Sequence, residues 1–172
     1  MSESRQTRYL SQDELRPQVD VVQCWRFDQA KQHCFRQPGH QFILMEAGTI
    51  DARTPSGRFR AMSGDLICFR PAGRIEYEAA AGTHVFASTI LMAPPPANLN
   101  PLYLDGVGLI PQHLALGASA PEMASYFETL CVEVPRRGAA HRLRVQMAIY
   151  GILSLIATVA GPDVRARETM DS

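Results

Sequence analysis

The residues that could do chemistry in this chain are few and lie apart. His33, His40 and His84, with Glu46, Glu76 and Glu78, stand in or beside apolar, strand-like stretches. Oxygen and imidazole ligands both suit transition metals, so Glu46, Glu76 and His84 could share an ion if a fold converged them. No spacing joins the three. His33 and His40 are seven apart, and no pair among the four cysteines has zinc spacing. No metal and no other cofactor is therefore expected. Glu76 and Glu78 flank Tyr77, so on a strand they share a face and could titrate as a coupled acid and base. Arg74 precedes them on that face, and the plainer expectation is a solvated or arginine-paired carboxylate pair. His84 is expected to hydrogen-bond locally at a strand edge or pocket. The chain has no Gly-x-Ser-x-Gly elbow, no plausible cysteine–histidine pair and no glycine-rich phosphate loop. It is not expected to be an enzyme.

Charge and composition narrow the partners. Seventeen basic and seventeen acidic residues balance, so no global field favours nucleic acid. Arg136, Arg137, His141, Arg142 and Arg144 form the one basic cluster. No aromatic residue interleaves with it and no helix-turn-helix follows, so this stretch alone is not expected to bind DNA. The polar N-terminus lacks a signal peptide, and the cysteines show no disulfide framework. Reduced thiols and a cytoplasmic location are expected.

The elements that must position these residues are short. Strands are expected over Val19–Phe27, His33–Arg36, Gln41–Glu46, Gly48–Ala52, Arg58–Met62, Leu66–Phe69, Ile75–Glu78 and Val85–Met92. Turn residues separate them: Pro38-Gly39, Thr54-Pro55-Ser56-Gly57, Ser63-Gly64-Asp65 and Pro71-Ala72-Gly73. Strands at this spacing point to an antiparallel sandwich or barrel. Pro94-Pro95-Pro96 breaks the sheet, and Leu102–Leu116 reads as an irregular apolar segment. A helix follows, with Ser119 and Glu122 as a capping box and Pro121 in the first turn; Pro135 ends it. A second helix is expected from Ala139 to Ala160, stopped by Gly161-Pro162.

The second helix carries two apolar stripes. Leu143, Met147, Tyr150, Leu153 and Ala157 form one; Val145, Ile149, Ile152, Ile156 and Val159 form the other. The first is expected to pack on the preceding helix and barrel. The second, with coiled-coil steps of three and four, is expected to meet a second copy of the chain. The apolar run from Val145 to Ala160 falls short of the roughly 20 residues a membrane span needs, so no membrane is expected.

Gly64-Asp65-Leu66-Ile67-Cys68-Phe69-Arg70-Pro71-Ala72-Gly73-Arg74-Ile75-Glu76 resembles the second cupin motif: a Gly-Asp turn, a buried strand and a Pro-x-Gly turn. Together with the two trailing helices, this variant is similar to the sensor domain of AraC-type transcription factors. The resemblance implies a mainly β fold with α: a cupin-like antiparallel β-barrel followed by two antiparallel helices. The implied layout is an N-terminal arm (1–18), the barrel and linker (19–117), a dimerising helical hairpin (118–162) and a linker stub (163–172). The function it implies is effector sensing and homodimerisation, with DNA bound only through a module absent from this chain. Ligand-binding candidates are Trp25, His40, Glu46, Glu76 and His84, as polar or aromatic residues on barrel strands. A hydroxyl- or amine-bearing ligand and an aromatic acid both suit such a site. The alternative is a small metal-dependent cupin enzyme, an oxygenase or isomerase. Against it, the first cupin motif with its paired histidines is absent, and Glu76 stands where the second motif has histidine.

Overall fold

The computed structural model describes residues 17–36, 39–54, 57–69, 74–92 and 111–160. The expected arm, the proline-rich stretch and the tail lie outside these residues, as do most of 102–116 and the turns at 55–56 and 70–73.

Eight strands form one long antiparallel ribbon folded over on itself. They are β1 (Gln18–Phe27), β2 (Lys31–Phe35), β3 (His40–Ala47), β4 (Thr49–Thr54), β5 (Gly57–Met62), β6 (Asp65–Phe69), β7 (Ile75–Ala79) and β8 (Thr83–Leu91). The innermost hairpin pairs β4 with β5; outside it β3 pairs β6, β2 pairs β7 and β1 pairs β8. Successive pairs fall into alternate sheets, so the ribbon closes as a jelly roll. The sheet orders are β1-β8-β3-β6-β9 and β2-β7-β4-β5. Strand β9 (His113–Ala115) pairs β6, a strand the sequence pattern did not mark within its irregular segment.

Side-chain alternation divides the apolar residues between two cores. Ile43, Met45, Ile67, Phe69, Tyr77, Val85 and Ala87 pack between the sheets. Phe42, Leu44, Leu66, Cys68, Phe86 and Ile90 point the other way, from the five-stranded sheet onto the helices. This explains why β3, β6 and β8 read as unbroken apolar runs: both of their faces are covered. Asp65 of the Gly-Asp turn accepts from the Met62 N–H at 2.9 Å and from His113 Nε2 at 2.8 Å. The turn residue thus holds β9 against β6.

Gly48 makes the β3–β4 turn at φ +80°, with its absent Cβ lying 2.6 Å from Thr83 Cα. Both the positive φ and the backbone approach require glycine. Gly48→Ala is expected to cost roughly 2–5 kcal/mol, adding left-handed strain to overpacking. Chemical denaturation that left stability within error of the native chain would contradict this.

Helix α1 spans Ala120–Glu133 and α2 spans Ala139–Ala160. The expected capping box does not form: Ser119 ends a short 3-10 turn in helical conformation, and its side chain makes no cap bond. Two corrections concern α2. The stripe assigned to a second copy is the one buried within this chain. Ile149, Ile152 and Ile156 are buried, with Val145 and Val159 packed around them. Of the stripe assigned to the barrel, Leu153 packs on the core and Tyr150 is half-buried, but Leu143 and Met147 are 62% and 64% exposed and Ala157 is open. The cause is Gly151. The Tyr126 ring lies over it, 2.5 Å from where a Cβ would stand, so α1 approaches on that side and sets the helix rotation. The second correction is length. At 22 residues, with an apolar window of mean hydropathy 1.6, α2 meets the length and composition of a membrane span. Here it is docked by Ala148, Ile149, Ile152, Leu155 and Ile156, and Gln146 Nε2 donates to the Pro17 carbonyl at 3.1 Å.

Candidate functional site

Strands β1 and β2 are the edges of their two sheets and are joined by the short turn Asp28–Ala30. At the opposite side, Phe59 stacks on His113 at 5.1 Å and Thr54 donates to Gln112 Oε1 at 2.8 Å, bridging the sheets. On the β1–β2 side lies a cleft of about 850 Å³, lined by Cys24 to Lys31 and by His33.

Its wall is aromatic. Trp25 and His33 stack at 6.1 Å and 2°, and His33 stacks on Tyr77 at 4.8 Å. Phe69 continues the series behind Tyr77, and Phe27 meets Trp25 and His33 edge-on. These rings converge because β1, β2 and β7 all turn alternate residues inward. Burial, and then the charge of Lys31, hold the His33 imidazole below its ordinary pKa, so it sits there neutral. Burial pushes the Tyr77 phenol up, so it too is uncharged. The rim charges are Arg26, Lys31 and Asp28, two cations against one carboxylate. Lys31 is the only lysine in the chain, and Trp25 the only tryptophan. A flat aromatic wall beside a cationic rim suits a planar, apolar anion.

Glu46 and His84 do come together, but on the other face of the same sheet. Glu46 sits at a β-bulge, where the β3–β8 register slips between Met45 and Ala47. The bulge turns its carboxylate to His84 Nδ1 at 2.5 Å. His84 Nε2 meets Cys24 Sγ at 2.9 Å. This overturns the expectation that no cysteine pairs with a histidine, for the partners are 60 residues apart in sequence.

His40 and Glu76 belong to neither place. His40 is buried against Phe42 at the opposite end of β3, across from Ile90. Glu76 lies on the outer face of the four-stranded sheet, where it binds Arg74 at 2.7 Å and approaches Arg53 at 4.0 Å. It is arginine-paired, as the plainer reading held, and it faces away from the interior because its neighbours Ile75 and Tyr77 face in. Glu46, Glu76 and His84 therefore cannot share a metal. Among the described residues no group of three or more His, Cys, Asp or Glu side chains is placed to hold one. Of the five ligand candidates only Trp25 lines the cleft. His33, Tyr77 and Lys31 were missed, although the alternation of β2 and β7 places His33 opposite Tyr77.

The basic cluster is largely spent on one carboxylate. Glu133, buried at the end of α1, accepts from His141 Nδ1, and from Arg144 at 3.1 Å, with Arg136 at 3.7 Å. The His141 hydrogen bond, then Arg144, holds its pKa below the usual carboxylate range. A depressed folded-state pKa stabilises the fold above the unfolded value, and that stability is lost as pH falls through the folded one. Acid melts of the native chain should therefore lose stability below the ordinary glutamate range, and Glu133→Gln should flatten that limb. Parallel acid limbs for the two proteins would contradict the assignment.

No protein-family profile matches the sequence, and no curated protein matches it significantly. Solved structures do match. The strand order and trailing helices define a cupin-like sandwich carrying a helical hairpin. That fold is shared with apo ToxT of Vibrio cholerae, an AraC-type regulator: TM-score 0.52 at 8% identity, over 78% of this chain and 54% of ToxT. The chain thus spans about half the length of ToxT. A ToxT structure from another Vibrio cholerae strain gives 0.43 at 8% identity, covering 76% and 52%. A cupin domain of Bordetella pertussis gives 0.31 at 18% identity, covering 46% of this chain and 94% of that one.

Proposed function

We propose that this chain is the effector-sensing and dimerisation domain of an AraC-like transcriptional regulator. The observation that carries the reading is the aromatic cleft at the β1–β2 edge. Strand β1 places Trp25 and Phe27 in that cleft and Val19 and Val22 against the helices. A ligand that repositions Trp25 moves the same strand on which α1 and α2 rest. It can shift the equilibrium only by contacting the two states differently. The effector class is a planar aromatic or apolar carboxylate, stacked on Trp25 and paired with Lys31.

The reading assigns dimerisation to the outward part of α2, Leu143, Met147 and Ala157, meeting a second copy of itself. DNA contact is assigned to a separate module, since Arg136, His141 and Arg144 of the hairpin are engaged with Glu133. A thermal-shift screen of aromatic acids, sugars and amines tests the proposal. Aromatic acids are expected to raise the melting temperature. A response to sugars or amines alone would contradict it.

A further inference from the structure

We propose that Cys24 is a covalent capture site, at which a thiol served by the His84–Glu46 pair adds to an α,β-unsaturated carbonyl compound on the helix-facing side of the five-stranded sheet. The inference goes beyond the effector reading, because the relay and the aromatic cleft lie on opposite faces of the five-stranded sheet. Three observations support it. Glu46, His84 and Cys24 form a linear relay, Oε2 to Nδ1 at 2.5 Å and Nε2 to Sγ at 2.9 Å. This is the order of orienting acid, base and nucleophile. Cys24 is exposed, and its thiol lies on the helix-facing side of the sheet, where β1 pairs it with Phe86. And Glu46 reaches His84 only through the bulge in β3, the kind of irregularity that re-aims a side chain.

The relay sets the proton path. With Nδ1–H donated to Glu46, Nε2 is free to accept the thiol proton. Sulfur then bonds the β-carbon of the acceptor, and the C=C pair moves towards the carbonyl oxygen as an enolate. The imidazolium returns its proton to the α-carbon. Every atom of thiol and acceptor ends in the thioether, and no oxidant is consumed. Burial, and then the Glu46 charge, raise the Cys24 thiol while Arg26 opposes them, so at rest the sulfur keeps its proton. Reaction therefore depends on His84 as base rather than on a standing thiolate. From α1, Cys131 and Glu128 also approach this end of the sheet, in electrostatic reach of each other and of the Cys24–Glu46 side.

Cys34 supplies a reference thiol in the same chain. It is exposed too, but its neighbour is Arg74, which cannot accept a proton. The experiment treats the whole chain with cinnamaldehyde and follows each cysteine by peptide mass. Cys24 is expected to react roughly tenfold or more faster than Cys34, since a positioned base contributes about 10²–10⁴. His84→Gln and the milder Glu46→Gln should both slow Cys24 towards the Cys34 rate, with melting curves confirming that each variant is folded. Equal rates at the two cysteines, or an unchanged Cys24 rate in a folded His84→Gln protein, overturns the inference. Hydrocinnamic acid, which lacks the acceptor bond, separates the two readings. If it binds and no Cys24 adduct forms, the covalent step fails and the cleft reading stands. If neither occurs, both fail.

Discussion

Replacing Ile152 by alanine should cost about 2–5 kcal/mol of unfolding free energy. The double substitution Leu143→Glu/Met147→Glu should leave the monomer folded and abolish the self-association proposed for it. The contrast follows from the two faces of α2. Ile152 is fully buried among Phe42, Phe127 and Leu130, in a core with little room to relax. Its truncation removes three carbons and leaves a cavity. Leu143 and Met147 are mostly open. Charges there should change monomer stability by no more than about 0.5 kcal/mol, the usual size of a surface effect. In a dimer the same glutamates would face their copies across a two-fold axis, where like charges in an apolar interface are costly. Analytical ultracentrifugation with denaturant melts reads both outcomes. A double variant that remains dimeric would place the interface elsewhere. An Ile152→Ala protein with native stability would contradict the packing.

The second large effect concerns the cleft. An effector present at a hundred times its Kd adds about 2.7 kcal/mol of apparent stability if it binds only the folded chain. Trp25→Ala should remove about half of that gain or more. The substitution takes away the largest ring of the wall and a stacking term of about 0.5–1.5 kcal/mol beyond the apolar area it supplies. Affinity is therefore expected to fall roughly tenfold or more, each tenfold being about 1.4 kcal/mol. Lys31→Glu should act through charge instead. It should weaken a carboxylate strongly and the corresponding primary amide little. Equal losses for acid and amide would mean that Lys31 does not pair with the ligand.

The strands were legible because turn residues interrupt the chain at short intervals. Gly64-Asp65 and Pro71-Ala72-Gly73 pointed to the cupin motif. The end of α2 was legible from Gly161-Pro162. What could not be read was orientation. The two α2 stripes are similar in length and apolarity, and periodicity cannot say which one turns inward. Gly151 was the overlooked signal. A glycine in mid-helix costs about 1 kcal/mol against alanine and so marks a close approach. The site was legible only in Trp25. Glu76 and Glu78 were correctly read as sharing a face, but that face is the outer one because Tyr77 fills the interior. The Cys24–His84–Glu46 relay depends on a strand pairing between distant segments and on a bulge, and no local pattern announces either. The Ser119–Glu122 pattern matched a capping box, yet the 3-10 turn before α1 leaves Ser119 helical and its side chain unused.

The account rests most on Trp25 being the wall against which an effector lies. As the only tryptophan, it reports that event without a label. Titrating the intact chain with hydrocinnamic acid while following tryptophan emission should give a saturable change, with a midpoint matching the thermal-shift affinity and lost in Lys31→Glu. Stabilisation by the acid without any change in Trp25 emission would place the ligand elsewhere and contradict the account.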